Sequence, residues 1–422
     1  MCGLIKKLLS GALMLLVAGC GASDSISSSA PIGTTITVTF NGNAPSAVAT
    51  KFGSSAFTGA TLQGANTLSF VVPAGTTNYT LAYVCASPNS AVTEEFVLEA
   101  SIQDSNSINR ACPLPGVPQP TLGAATGSVD ATAITGAASV SIFPHGLTPP
   151  LPVNGSFSVN LPVGTEDVAF AVLDTNHNIL ALKILRSQTV PGAINNGNAV
   201  IFSAADETSS QMFTLSGVPA GFAGGPFVEY RTASGTSIAL NFQGTSNSTS
   251  YAIVPDAAAQ NGDFYLFIGT ALSLPPSTPH QSMQIIQRTT TGGAVTLTSP
   301  AALVFAGPVP AALPSFSISY SGFPTGLSTG VQQARISWPP TPTSRDSITV
   351  TATPNFLSGA TTLSVPDLSS LSGFLAPAIS GTQVAWDVEI FGNAGKAFPA
   401  VTIPPANGLA GLVENGGTYT QP

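Results

Sequence analysis

"SFVVPAGTTNYTLAYV", Ser69 to Val84, and "SVNLPVGTEDVAFAVL", Ser158 to Leu173, are one pattern written twice. Pro73 falls over Pro162, Gly75 over Gly164, Thr76 over Thr165 and Ala82 over Ala171. In each copy a run of β-forming residues stops at a proline, turns at a glycine and resumes. Proline fixes φ and withdraws a donor from the strand ladder, while glycine reaches the positive φ that a tight corner needs. The unit therefore reads as strand, corner, strand, and its repetition as two related β domains.

Working outward, period-two alternation recurs along the chain. Ile36, Val38 and Phe40 alternate with threonines, Phe96, Leu98 and Ala100 with Val97 and Glu99, Phe316, Ile318 and Tyr320 with serines, and Val384, Trp386, Val388 and Ile390 with Ala385, Asp387 and Glu389. Such alternation puts one row into a core and the other into water. Sustained helical periodicity is missing after the N-terminus, with Leu368–Leu375 as the one place for a turn or two. Charged residues are only 7% of the chain, against 42 Gly and 35 Pro, which excludes both a helical chain and a charge-rich disordered one. The expected class is all-β, built of antiparallel sandwiches.

The strand, Pro-x-Gly-Thr, strand unit resembles the small β-sandwiches of the carboxypeptidase-regulatory-like, transthyretin-like and Cna B-type group, over residues 32–115 and 121–206. The resemblance implies tandem Ig-like domains serving as spacers or binding units. Lys51 and Lys183 occupy no matching positions in the repeat, so the isopeptide cross-link of some Cna-type domains is not expected. A second pair of echoes lies further on: Leu215–Gly221 with Tyr320–Gly326, and Val254-Pro255-Asp256 with Val365-Pro366-Asp367. With Pro-rich stretches as boundaries, the expected domains are residues 32–117, 118–207, 208–305 and 306–422, with three domains as the fallback.

The N-terminus supplies an address. Lys6 and Lys7 precede the apolar run Leu8 to Gly19, which ends in small residues before Cys20, the layout of a secretory signal. As a helix this run spans roughly 18 Å, against a hydrocarbon core of about 30 Å. Val17-Ala18-Gly19-Cys20 resembles the bacterial lipobox, which implies cleavage of residues 1–19, lipid on Cys20 and a flexible tether over residues 20–31. Gly21 in place of aspartate leans the expected address toward the outer membrane or cell surface and away from the inner membrane. Losing Lys6 and Lys7 takes the formal charge from −8 to −10, which disfavours nucleic acid and anionic headgroups as partners. Cys85 and Cys112, in an exported chain, are expected to pair as a structural disulfide, worth about 3–4 kcal/mol in the chain-entropy model.

Candidate chemistry is sparse. His145, His177 and His280 fall in separate loops without Glu or Cys at metal-ligand spacing, so neither a zinc site nor a cofactor is expected. Asp174, Asn176 and Asn178 place oxygens at alternate positions, as the start of a calcium loop does, but lack its glycine and closing glutamate; a polar hairpin turn is the preferred reading. The pairs Glu94-Glu95, Glu166-Asp167 and Asp206-Glu207 read as solvated surface pairs rather than catalytic carboxylates. No phosphate loop or dinucleotide fingerprint is present, so no catalytic residue is assigned and no enzyme is expected.

Aromatic residues are the lead for binding. Trp338 and Trp386 fall in the last expected domain, and Tyr230, Tyr251 and Tyr265 in the third. Either they line a glycan platform, or they pack the core, as the alternation around Trp386 suggests. The sequence thus points to a lipid-anchored, non-catalytic envelope protein acting as scaffold, spacer or adhesive module. The alternative is a carbohydrate- or protein-binding lipoprotein with its site in the last two domains, its partner a surface glycan or envelope protein.

Overall fold

A computed structural model describes residues 33–86, 91–112, 121–143, 150–241, 246–274, 280–305, 307–320, 322–341, 344–393, 404 and 406–422. Cys20, the signal, the tether and His145 lie outside them. The described chain is all-β, its strands falling into four groups of packed sheets. The only α-helix among the described residues is one turn, α1 (Pro354–Leu357), capped by the Thr353 hydroxyl. Leu368–Leu375 forms turns.

The first group comprises β1 (Thr34–Gly42), β2 (Ala47–Phe52), β3 (Thr58–Gly59), β4 (Thr67–Val72), β5 (Asn78–Ala86), β6 (Val92–Ser101) and β7 (Ser107–Cys112). The second holds β8 (Leu122–Asp130), β9 (Ser139–Phe143), β10 (Asn154–Pro162), β11 (Gly164–Leu173), β12 (Ile179–Val190), β13 (Gly192–Ala193) and β14 (Val200–Ile201). In the third are β15 (Ser209–Ser216), β16 (Phe222–Arg231), β17 (Ser237–Ala239), β18 (Ser248–Ile253), β19 (Phe264–Ser273), β20 (His280–Thr289) and β21 (Val295–Thr298). The fourth has β22 (Ser315–Ser317), β23 (Ser328–Trp338), β24 (Arg345–Ala352), β25 (Thr362–Ser364), β26 (Gln383–Asn393) and β27 (Leu409–Thr420).

One strand plan runs through all four groups. The chain starts in one sheet, crosses to a second, returns antiparallel to its first strand, and crosses again into a hairpin. Thus β1 pairs with β4 while β5 lies between β2 and β6; β8 pairs with β10 while β11 lies between β9 and β12. Likewise β15 pairs with β18 while β19 lies between β16 and β20, and β22 pairs with β25 while β26 lies between β23 and β27. In the first three groups a closing segment then returns parallel to the opening strand. The Pro-x-Gly-Thr unit makes the second crossing, and both its glycines, Gly75 and Gly164, have positive φ.

Three groups share their larger sheet. Twelve strands run in the order β17-β16-β19-β20-β27-β26-β23-β24-β6-β5-β2-β3. Antiparallel pairing of β20 with β27 and parallel pairing of β24 with β6 make the two joins. The alternation of side chains serves a different core on each face. Leu81 and Tyr83 pack with Ile36, Val38 and Phe40, whereas Ala82 and Val97 on the other face join the core around Trp386. The second group keeps two sheets of its own. Its β11 is buried on both faces: Val168, Phe170 and Val172 face the group's own core, and Ala169, Ala171 and Leu173 join the core of the third group. A continuous apolar run, Val168 to Leu173, is the sequence form such a strand takes.

Cys85 and Cys112 are disulfide-bonded, with Cα atoms 5.4 Å apart, and tie β5 of the large sheet to β7 of the small one. Replacing both cysteines with alanine is expected to lower stability by about 2–5 kcal/mol. Urea unfolding followed by tyrosine fluorescence measures this, and an unchanged midpoint would refute a stabilising role.

Candidate functional site

The hairpin of β11 and β12 reaches from one end of the second group to the other, and polar chemistry gathers at both its ends. At the turn, the Asp174 Oδ1 accepts hydrogen bonds from the backbone N–H groups of Asn176 and Asn178, both at 2.8 Å, and Oδ2 accepts from the Asn178 side-chain amide at 2.9 Å. The Asn178 side chain is the main reason the Asp174 carboxyl sits below its ordinary value; the two N–H bonds and the neighbouring His177 act in the same sense. His177 takes a left-handed φ of 65°, which asparagine, aspartate and histidine tolerate better than most residues.

This turn forms one wall of a cleft of about 720 Å³ between the second and third groups. The facing wall is β15 and β18, where the Ser210 and Ser250 hydroxyls bond across the ladder. Thr208 ties the walls together, its N–H donating to the Leu180 carbonyl at 2.9 Å and its hydroxyl to the Ile179 carbonyl at 2.8 Å. Asn241 braces the floor: its Oδ1 accepts from Val228 N–H at 2.6 Å and its Nδ2 donates to the Pro226 carbonyl at 3.0 Å. The volume lies within the usual range of small-molecule sites, roughly 300–1,000 Å³. Besides Asp174 and Glu207, the titratable groups of the lining are His177 and the buried Tyr251, and among the described residues no lysine or arginine enters it.

At the opposite end of the hairpin, Arg186 fastens the second group to the third. Its Nη1 donates to Asp167 Oδ2 at 3.0 Å, and its Nη2 to Asp263 Oδ2 and the Ala258 carbonyl, both at 2.6 Å. The Tyr230 hydroxyl donates to Asp263 at 2.8 Å, as does Ala233 N–H; the Ser234 hydroxyl and the Ser187 N–H donate to Asp167. Burial by itself pushes both carboxyls up, but the donors win and hold both below the ordinary aspartate value. The cleft walls are thereby fixed by a clamp at the far end of the same two strands.

The aromatic candidates are core residues. Trp338 and Trp386 are 4% and 6% exposed, and Tyr230, Tyr251 and Tyr265 are buried as deeply. Each tyrosine hydroxyl is spent internally, Tyr230 on Asp263, Tyr251 on the Gly293 backbone and Tyr265 on Val254 N–H. A ring with both faces packed offers no stacking surface, so these five form no glycan platform. Asp174, Asn176 and Asn178 do come together, as a turn whose carboxylate closes the turn itself. Among the described residues no group of three or more His, Cys, Asp or Glu is placed to share a metal ion.

The carboxylate pairs need correction, because one member of each is buried. Asp167 belongs to the Arg186 clamp. Asp206 caps a 3₁₀ turn through Ser203 and pairs with Lys183 at 3.1 Å. Glu95 is 1% exposed, and burial pushes its carboxyl up to about 7, against the pull of the Leu375 N–H that it accepts at 3.0 Å. In Glu94-Glu95 successive strand residues face opposite ways, so adjacency put one carboxylate inside. Sequence reasoning also missed Arg186, for which the available signal was a guanidinium directly after the apolar pair Ile184-Leu185 in β12. No protein-family model matches the chain, and a search of curated proteins finds no relative.

Proposed function

We propose that the chain is a lipid-anchored, non-catalytic protein of the bacterial envelope, held at the outer membrane or cell surface and acting as a scaffold, spacer or adhesive module. The observation that supports this most is the twelve-stranded sheet. It makes the first, third and fourth strand groups mechanically continuous, and the Arg186 clamp adds the second. A body of this kind transmits force and holds distance, which is what a spacer does, and needs no moving part. The Val17-Ala18-Gly19-Cys20 motif supports the anchor, and the tether after it gives roughly 35–40 Å of reach.

Cys20→Ser tests the reading. The variant is expected to be exported yet to leave the detergent phase on phase partitioning, because two or more acyl chains are what make such anchoring stable. Unchanged partitioning would overturn it. The second reading, a carbohydrate- or protein-binding lipoprotein, is favoured by the polar cleft. In that case the site belongs to the junction of the second and third groups, since the turn residues Asp174 and Asn176 to Leu180 line it together with Ser210 and Thr249 to Ala252.

A further inference from the structure

We propose that the cleft between the Asp174–Asn178 turn and β18 binds a neutral, hydroxyl-rich oligosaccharide, a property that rests on the second reading above and is independent of the lipid anchor. Three observations carry it. The rim presents amides and hydroxyls, Asn176, Asn178, Ser210 and Ser250, all exposed and able to donate and accept in the same place. Sugar hydroxyls need partners of that kind. Beside them Ile179 and Leu180 are half-buried and offer aliphatic surface for the C–H face of a pyranose ring.

Charge narrows the ligand. With Asp174 and Glu207 in the lining and neither lysine nor arginine there, a phosphate, sulfate or uronate meets repulsion on entry. A polypeptide adding to the free edge of β18 is disfavoured for a geometric reason. Ala252 N–H, which faces that edge, already donates to the Leu240 carbonyl at 3.1 Å, and β15 occupies the other edge. A donor such a peptide requires is therefore in use.

Among the described residues the lining has no exposed Phe, Tyr or Trp ring, since Tyr251 is 2% exposed. Stacking energy is thus absent, and a single cleft binds weakly. Weak sites become effective when many are held on one surface and meet a repetitive polymer.

The full chain, purified in detergent, is to be screened on an array of neutral and acidic oligosaccharides, and the best neutral ligand then titrated by calorimetry. Saturable binding of a neutral glycan is expected. Ser250→Trp, which places a bulky ring in the cleft from an exposed position, is expected to weaken binding by about tenfold or more, the equivalent of one good contact. Leu272→Trp, at an exposed position outside the cleft, is expected to change neither binding nor the unfolding midpoint. The proposal is overturned if no neutral glycan binds, if acidic glycans bind in preference, or if Ser250→Trp binds as the unmodified chain does. Cys20→Ser is to be titrated alongside. Loss of the anchor with binding intact separates failure of the envelope reading from failure of this one.

Discussion

Arg186→Ala is expected to destabilise the protein by about 3–5 kcal/mol, the usual cost of removing one partner from a buried ion pair. The Arg186 side chain is 16% exposed, and Asp167 and Asp263 are 7% and 2% exposed. Truncation leaves two carboxylates facing each other with their shared counter-ion gone. Their remaining donors, Ser234, Tyr230 and the N–H groups of Ser187, Gln260 and Ala233, are all neutral. A pH arm makes the prediction sharper. Both carboxyls are depressed in the folded protein, so their stabilising contribution is present above the unfolded aspartate value of about 3.9 and is lost as pH falls below it. In the variant the same carboxyls, buried without a cation, are expected to titrate above that value and to gain stability on protonation. The gap between the two proteins should therefore close in acid. Urea unfolding of both across the range from neutral to acid pH measures this. A gap under about 1 kcal/mol at neutral pH, the size of an exposed pair, would show that the clamp does not hold the groups together.

Much of this fold could be read from the chain, and particular residues show where the reading stopped. The Pro73 and Pro162 corners give the crossing between sheets, and the separate echo of Val254-Pro255 with Val365-Pro366 proves to be that same crossing in the other two groups. A hydrophobic residue followed by proline thus ends the returning strand four times over. The joins of the long sheet left no such trace. Ile348 lies beside Glu95 and Leu412 beside Gln284, but registers between distant segments depend on backbone pairing, which any β-forming sequence allows. Carboxylates misled for a related reason. In a chain with only 7% charged residues, a pair such as Glu166-Asp167 looks like scarce surface polarity, and only the partner, Arg186 in another strand, reveals that one member is inside. The cleft was half legible: the Asp174–Asn178 turn stood out, while the facing β18 lay among undistinguished serines and threonines.

Trp386→Ala is expected to cost about 3–5 kcal/mol, the range for an aromatic removed from a core, and to weaken strand groups well beyond its own. Trp386 lies in β26, with Ile336 of β23 on one side and Gly417 of β27 on the other. The ring meets Phe305 edge-on at 5.5 Å. Gly307 and Gly417 make room for it, since a Cβ at either would stand about 3 Å from the ring. Removing it leaves a cavity that two glycines cannot fill, which is why the cost belongs at the upper end. The consequence follows from position. β26 is the sixth of twelve strands, so opening the fourth group strips β20 on one side and β6 on the other of their partners. Both would then present unpaired backbone edges. Native-state hydrogen exchange is expected to show amides of β6 and β20 losing protection together with those of β26. The second group, with sheets of its own, should keep protection longer in β9 and β10. If β26 alone loosens while β6 and β20 stay protected, the long sheet is a row of independent domains in contact, and its continuity carries no mechanical coupling.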